Sequence, residues 1–470
     1  MKVMVVGAGK LGYSLARSMI QGRIDVTLVD SDERVIERIN DHLDVLTVNA
    51  NGIEVSVLRE LDIQSYDLLI ACTGSDETNA IICTMAKKLG CRRAIARIGN
   101  PEYTKQLDFV KSELGIDHIV NPDLATANEI MRYLLRSYNF HMGDFAKGKV
   151  SMAEFSADHM EEFIGKRLFE LPDLGDLLVA AISRNGEMII PHGSTELCKD
   201  DILHMIGTSE SIKELANRFQ LSLNGHRVRR VMILGGGKLS FYLAEQLASA
   251  GIAVTIVEEN AARCQYLAER LDKVLIIQGD GTDISLLEEE QLSEMDAFIG
   301  ATGYDEQNLL MCLLAKQAGV SKTIAKISRQ SYVNLIDKLD LDVALNPTSI
   351  TSSDILKFIR GGRVVSVSLL LDGKAEVTEL IVSPNVPVVG KPLAEWGLPK
   401  GIIIGAIVHN GQVIIPNGQS VVHPNDRLII FCLADDVPAL DIFLRPAPSR
   451  GGVLGEFWRR QKSSGRAVSS

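Results

Sequence analysis

The chain has 470 residues, 46% hydrophobic and 23% charged, a composition that suits folded globular protein of two to four domains. Its formal charge of −11 excludes a general affinity for nucleic acid, and no apolar run approaches the roughly 18–20 residues that span a bilayer. Seven scattered cysteines without a CxxC pair read as reduced thiols of a cytoplasmic protein, and nine histidines without HxxxH or HExxH spacing give no metal site.

The N-terminus opens directly on an apolar strand, which leaves no room for a signal peptide. Val3 to Val6 suit a buried parallel strand, and the segment VMVVGAGKLGYSLARSM continues it into a glycine turn and a helix. In a dinucleotide-binding turn Gly7 allows the bend, Gly9 lets the backbone approach a pyrophosphate, and Gly12 lets the helix pack close to the strand. The free N–H groups and positive dipole end of that helix then face the phosphates. Asp30 follows Gly9 by 21 residues, at the end of DVTLVD, where a carboxylate can accept two ribose hydroxyls and disfavours a 2′-phosphate. A simple helix N-cap is the alternative role for Asp30.

Further alternating runs follow: VLTVNANG at 45–52, LLIACTGSDETN at 68–79, AIARI at 94–98 and VNPDLATANEIMRYL at 120–134. They predict βαβ units and a parallel doubly wound sheet. From residue 137 the pattern changes to short alternating strands, with Asn185–Gly186 marking a hairpin with a type I′ turn. The segment LSLNGHRVRR then reads as a linker.

At Val231 everything repeats. VMILGGGKLSFYLAEQL carries Gly235, Gly237 and Ser240 at the places of Gly7, Gly9 and Gly12, and Glu258 stands in for Asp30. Ser240 predicts slightly looser packing of helix on strand. VLIIQGDGTDISLLEEE at 274–290, AFIGATGYDEQNLLM at 297–311, IAKIS at 324–328 and LNPTSITSSDILKFI at 345–359 are the other counterparts, and Asn410–Gly411 marks a second hairpin. The predicted fold class is α/β, two Rossmann-like parallel sheets each followed by a small α+β module. The predicted boundaries are 1–136, 137–222, 223–361 and 362–444. Residues 445–470 form a basic tail (six Lys or Arg against Glu456), read as a solubilising end or, through Phe457 and Trp458, as a docking element for anionic lipid or a partner.

This order of modules resembles the RCK (KTN) domains that regulate potassium channels and transporters. Two such units in one chain resemble the TrkA-type regulatory subunits of Trk potassium-uptake systems, over residues 1 to about 440. The resemblance implies a non-enzymatic cytosolic ring, a tetramer of tandem-RCK chains, that binds NAD(H) and the adenine nucleotides ATP and ADP. That ring would sit at the cytoplasmic face of the membrane beneath a membrane-embedded, TrkH/TrkG-like potassium-transporting subunit. It implies that Gly7, Gly9 and Gly12 hold phosphates, Asp30 the ribose and Lys10 a distal phosphate, with Thr73, Gly74 and Arg97 at the crevice. The second-half counterparts are Gly235, Gly237, Lys238, Glu258, Thr302, Gly303 and Lys326, and Asn51 and Asp280 are candidate adenine contacts. Arg97 and Lys326 could instead be ion-pair partners on the sheet rim, and Thr73 and Thr302 helix caps.

Two other functions compete. An NAD-dependent oxidoreductase needs an oriented acid or base, and His192, His204, His409 and His423 have no partnered carboxylate motif. A ligand-gated scaffold for an unrelated transporter would use the same modules.

Overall fold

The computed structural model describes residues 1–440 except 22–23, 105–106, 136–141, 172–173, 186, 220–227, 330–331, 333–340, 361–362 and 371–373. The basic tail, most of the expected linker and Gly186 of the first hairpin lie outside the described residues.

The first six strands form one parallel sheet in the spatial order Leu46–Asn49, Asp25–Asp30, Lys2–Val6, Leu68–Ala71, Ala94–Arg97, His118–Val120. The chain reverses direction across the sheet at Lys2–Val6, which leaves a crevice at the carboxyl ends of the strands. Val3, Met4 and Val5 have no exposure because helices cover both faces, so the run is apolar without alternation. The second half repeats this order with Val274–Gln278, Ala253–Glu258, Arg230–Leu234, Ala297–Gly300, Lys322–Lys326 and Val343–Leu345.

Each parallel sheet is followed by a five-stranded antiparallel sheet of one common topology. In the first module Ile202–Thr208 lies between Leu177–Arg184 and Val150–Ser156. In the second, Arg427–Leu433 lies between Ile402–His409 and Ala375–Ile381. Asn410 and Gly411 have φ of 49° and 85°, the two positive values that a type I′ turn requires. The two modules close on each other through a common core that includes Val150, Met152 and Ile206 of the first and Ala406, Ile429 and Phe431 of the second.

The halves are also joined by an exchange of helices. Helix Pro122–Leu135, which ends the first parallel sheet, buries Ala127, Ile130, Tyr133 and Leu134 in the core of the second. Helix Pro347–Arg360 returns the exchange, burying Ile355, Leu356 and Ile359 in the core of the first. Full burial of such side chains stabilises by roughly 1.5–3 kcal/mol each, so neither sheet completes its core without the other half.

Candidate functional site: a nucleotide-sized cleft closed by both halves

The crevice of the first sheet is a cleft of about 560 Å³. Gly7, Gly9, Lys10, Asp30, Asn51, Thr73, Gly74 and Arg97 all line it, so eight of the nine residues singled out in the first half meet at one place. The ninth, Gly12, lies behind the loop. A Cβ there would stand 2.0 Å from the Gly7 carbonyl oxygen, so only glycine lets the helix Lys10–Gln21 start this close. Gly7 has φ of 98°, and a Cβ would meet the Cys72–Thr73 backbone at 2.8 Å. Gly9 differs from both: nothing lies within 4 Å of its would-be Cβ, which points into the open cleft.

Asp30 accepts the backbone N–H of Ala8 at 2.6 Å and that of Asp32 at 3.0 Å. The helix N-cap is Asp32, which accepts from Arg34, so Asp30 does not take the N-cap role. Glu258 does the same work in the second half, accepting from Gly236 at 2.6 Å and Asn260 at 2.8 Å. These acids brace the glycine loops and keep lone pairs for further donors.

Thr73 and Thr302 do not cap the following helices either; Ser75 caps the first. The Thr73 hydroxyl and backbone N–H both donate to Oδ1 of Asn79, at 2.7 and 2.8 Å, and the Asn79 amide donates to the Arg97 carbonyl at 2.9 Å. Thr302, Asn308 and Lys326 repeat this latch. Both asparagines are fully buried. Sequence reasoning missed them, although an Asn at the same place in both copies (DETN and DEQN) was the available signal.

Asn51 and Asp280 are turned partly to their own loops. Asn51 accepts the Ile53 N–H at 3.3 Å, and Asp280 accepts from the N–H and hydroxyl of Thr282, which hold its carboxyl below the usual range.

The second half departs from the first in two respects. Ser240, at the place of Gly12, is fully buried and its hydroxyl donates to the Gly235 carbonyl. Arg263 donates to the carbonyls of Gly236 and Gly237, where the first copy carries Val35. Gly237, like Gly9, has nothing within 4 Å of its would-be Cβ. Gly235, Glu258, Asp280, Thr302, Gly303 and Lys326 take the matching places at the carboxyl edge of the second sheet.

The exchanged helices bring residues no single repeat would supply. Pro347, Thr348 and Thr351 line the first cleft, with Pro122 and Asp123. Lys238 crosses to the first half, 3.5 Å from Asp76, which itself accepts the N–H groups of Gly99 and Asn100. Burial raises the Asp123 carboxyl, opposed chiefly by Lys326; burial lowers Lys326, opposed chiefly by Asp123. A charge cluster therefore spans the junction beside the cleft.

His409 and His423 gain a carboxylate partner that the sequence did not show, whereas both ring nitrogens of the buried His204 lack a hydrogen bond. His204 stands 3.3 Å from Glu154, and His409 and His423 both reach Asp426. Their carboxylates come from neighbouring strands and loops, which no local motif reveals. None of these groups lines the cleft. The one thiol there, Cys72, is pushed up to about 12 by burial and so stays protonated and unreactive.

Residues 3–122 and 231–347 match the TrkA-N domain family, and residues 152–220 and 377–444 the TrkA-C domain family. The Trk system potassium uptake protein TrkA homolog 1 of Methanosarcina mazei is 34% identical over 453 residues, 95% of this chain and 100% of that protein. The chain belongs to the TrkA family. The TrkA protein of Haemophilus influenzae is 33% identical over 459 residues, 95% of this chain and 99% of its own length. Among solved structures, the GsuK channel bound to NAD shares the fold at 18% identity and a TM-score of 0.54, covering 94% of this chain and 78% of that one. The two TrkA relatives are named as potassium-uptake proteins rather than as enzymes. No helix among the described residues is long and apolar enough to cross a membrane.

Proposed function

We propose that this TrkA-family chain is the nucleotide-sensing subunit of a Trk-type potassium-uptake system. On this reading Gly7 and Gly9 let the loop approach the phosphates of NAD(H), ATP or ADP, which also meet the N-terminus of helix Lys10–Gln21. Asp30 takes the ribose, Asn51 lies toward the base, and Lys10 and Arg97 supply positive charge. The observation that carries it is the composition of the cleft wall, where Pro347, Thr348 and Thr351 of one half face the glycine loop of the other. A ligand held by both walls senses their separation, and so binds two arrangements of the halves with unequal affinity. Equal affinity would shift nothing; a tenfold difference biases the arrangement by about 1.4 kcal/mol per site. Several chains assembled as a ring, a tetramer in our reading, would add their biases at the cytoplasmic face of a TrkH/TrkG-like potassium-transporting subunit.

The test is potassium uptake by the chain together with that transporting subunit, under NADH, NAD, ATP and ADP. Uptake should depend on nucleotide in the wild type and lose the first-cleft share of that dependence in Gly9→Val. Uptake that ignores every nucleotide, while the nucleotides still bind, would sink the sensing reading.

A further inference from the structure

The second antiparallel module gathers three groups that the nucleotide cleft does not use. His409 ends strand Ile402–His409, His423 lies in the following loop, and Asp426 immediately precedes strand Arg427–Leu433. Their potential ligand atoms all lie within 4.8 Å of one another. Nδ1 of His409 is 2.6 Å from Oδ1 of Asp426, Nδ1 of His423 is 3.6 Å from Oδ2, and the two ring centroids are 4.7 Å apart. Donors of one tetrahedral zinc ion, at roughly 2.0–2.2 Å from the metal, stand about 3.4 Å from each other, so the set closes when the His409–Asp426 pair opens from its hydrogen-bonded 2.6 Å and the half-exposed His423 rotates inward.

The first module shows what the place looks like without these histidines. Arg184, Cys198 and Asp201 occupy the equivalent positions. There Arg184 donates to both oxygens of Asp201, each at 2.7 Å, and neutralises that fully buried carboxylate. In the second module Asp426 is 3% exposed, and an aromatic nitrogen has replaced the permanent cation. Asp426 is also held in place by the His423 backbone N–H, which donates to Oδ2 at 2.7 Å, and the Asn410 amide lies 3.0 Å from Nε2 of His409. A carboxylate fixed by the backbone, two imidazoles and an outer amide partner form an ordered ligand set with its supporting shell.

We propose that His409, His423 and Asp426 bind a divalent ion of the zinc class, with water completing the coordination. Binding moves the His409 proton from Nδ1 to Nε2, where the Asn410 side-chain carbonyl, after a half-turn of its amide, accepts it. The ion does there what the Arg184 guanidinium does in the first module, and it ties the hairpin to the loop ahead of strand Arg427–Leu433.

The experiment uses the full-length chain stripped with a chelator and titrated with Co2+, whose visible absorption reports nitrogen and oxygen coordination, then with Zn2+ in competition. The wild type should bind one ion per chain at this site and melt at a higher temperature with Zn2+. His409→Arg rebuilds the arginine–carboxylate pair of the first module, and His423→Ala alters a half-exposed side chain, so both variants should keep the metal-free melting temperature. Each should weaken Zn2+ binding by about a hundredfold or more, beyond the ten- to hundredfold typical of losing an outer partner, and abolish the thermal shift. No visible band in the wild type, or a band and shift that survive in either variant, would overturn the site.

Discussion

The carboxylate of Asp30 braces the Ala8 N–H at 2.6 Å and stands at the cleft wall, so its removal acts on the loop and on the ligand together. Asp30→Ala should weaken NADH binding by roughly ten- to a hundredfold, the 1.5–3 kcal/mol expected of a charged acceptor. NADH fluorescence titration measures this, and an unchanged affinity would place the ribose elsewhere. Gly12 and Ser240 make a second contrast between the copies. Gly12→Ser drives a Cβ to 2.0 Å from the Gly7 oxygen and should cost about 1–3 kcal/mol or more by overpacking. Ser240→Gly loses one hydrogen bond and should cost about 1 kcal/mol. Thermal melts of the two variants separate these effects, and equal losses would contradict the account of the two loops. The glycines, Asp30 and Glu258 are legible in the sequence because their spacing along one βαβ unit fixes their place in space. Arg263 is not, because nothing local says that its side chain turns back over the preceding loop.

At the scale of elements, the strands and helices follow from apolar runs and periodicity, but the exchange of helices does not. The apolar face of Pro122–Leu135 is the same whichever sheet receives it, so a repeat read alone assigns the helix to its own sheet. A fragment of residues 1–222 leaves that face exposed and lacks the covering side chains Ile355, Leu356 and Ile359. It should therefore associate into dimers that exchange Pro122–Leu135 between copies; light scattering that reports a stable monomer would contradict this. The exchanged helix also ends on a buried cation. Lys322, 2% exposed, donates to the carbonyls of Tyr133 and Leu134, and burial pushes it down from 10.5 to about 8. Keeping that charge folded costs roughly 3 kcal/mol while both states are protonated, below about pH 8. The cost is relieved as pH rises from about 8 toward 10.5, because the folded amine loses its proton first. The melting temperature of the wild type should thus gain on that of Lys322→Met across this interval. A constant difference would show that burial does not push Lys322 below its unfolded value.

For the whole molecule, the central claim is that the first cleft is a nucleotide site whose walls come from both halves. The pseudo-twofold arrangement was legible as a sequence repeat, yet the joint wall was not, since Thr348 and Thr351 lie more than three hundred residues from the glycine loop they face. A separation of about 160 residues likewise hides the crossing of Lys238 to Asp76. Gly9 gives the cleanest probe of this claim: a Cβ there enters the open cleft and meets nothing within 4 Å beyond its chain neighbours, so a side chain blocks ligand at little cost to the fold. The deciding measurement is calorimetric titration of the purified chain and of Gly9→Val with NADH, ATP and ADP, alongside a thermal melt of each. The account predicts binding by the wild type, loss of the first-cleft share of that binding in Gly9→Val, and matching melts without ligand. Undiminished binding of every nucleotide by a folded Gly9→Val protein would contradict it.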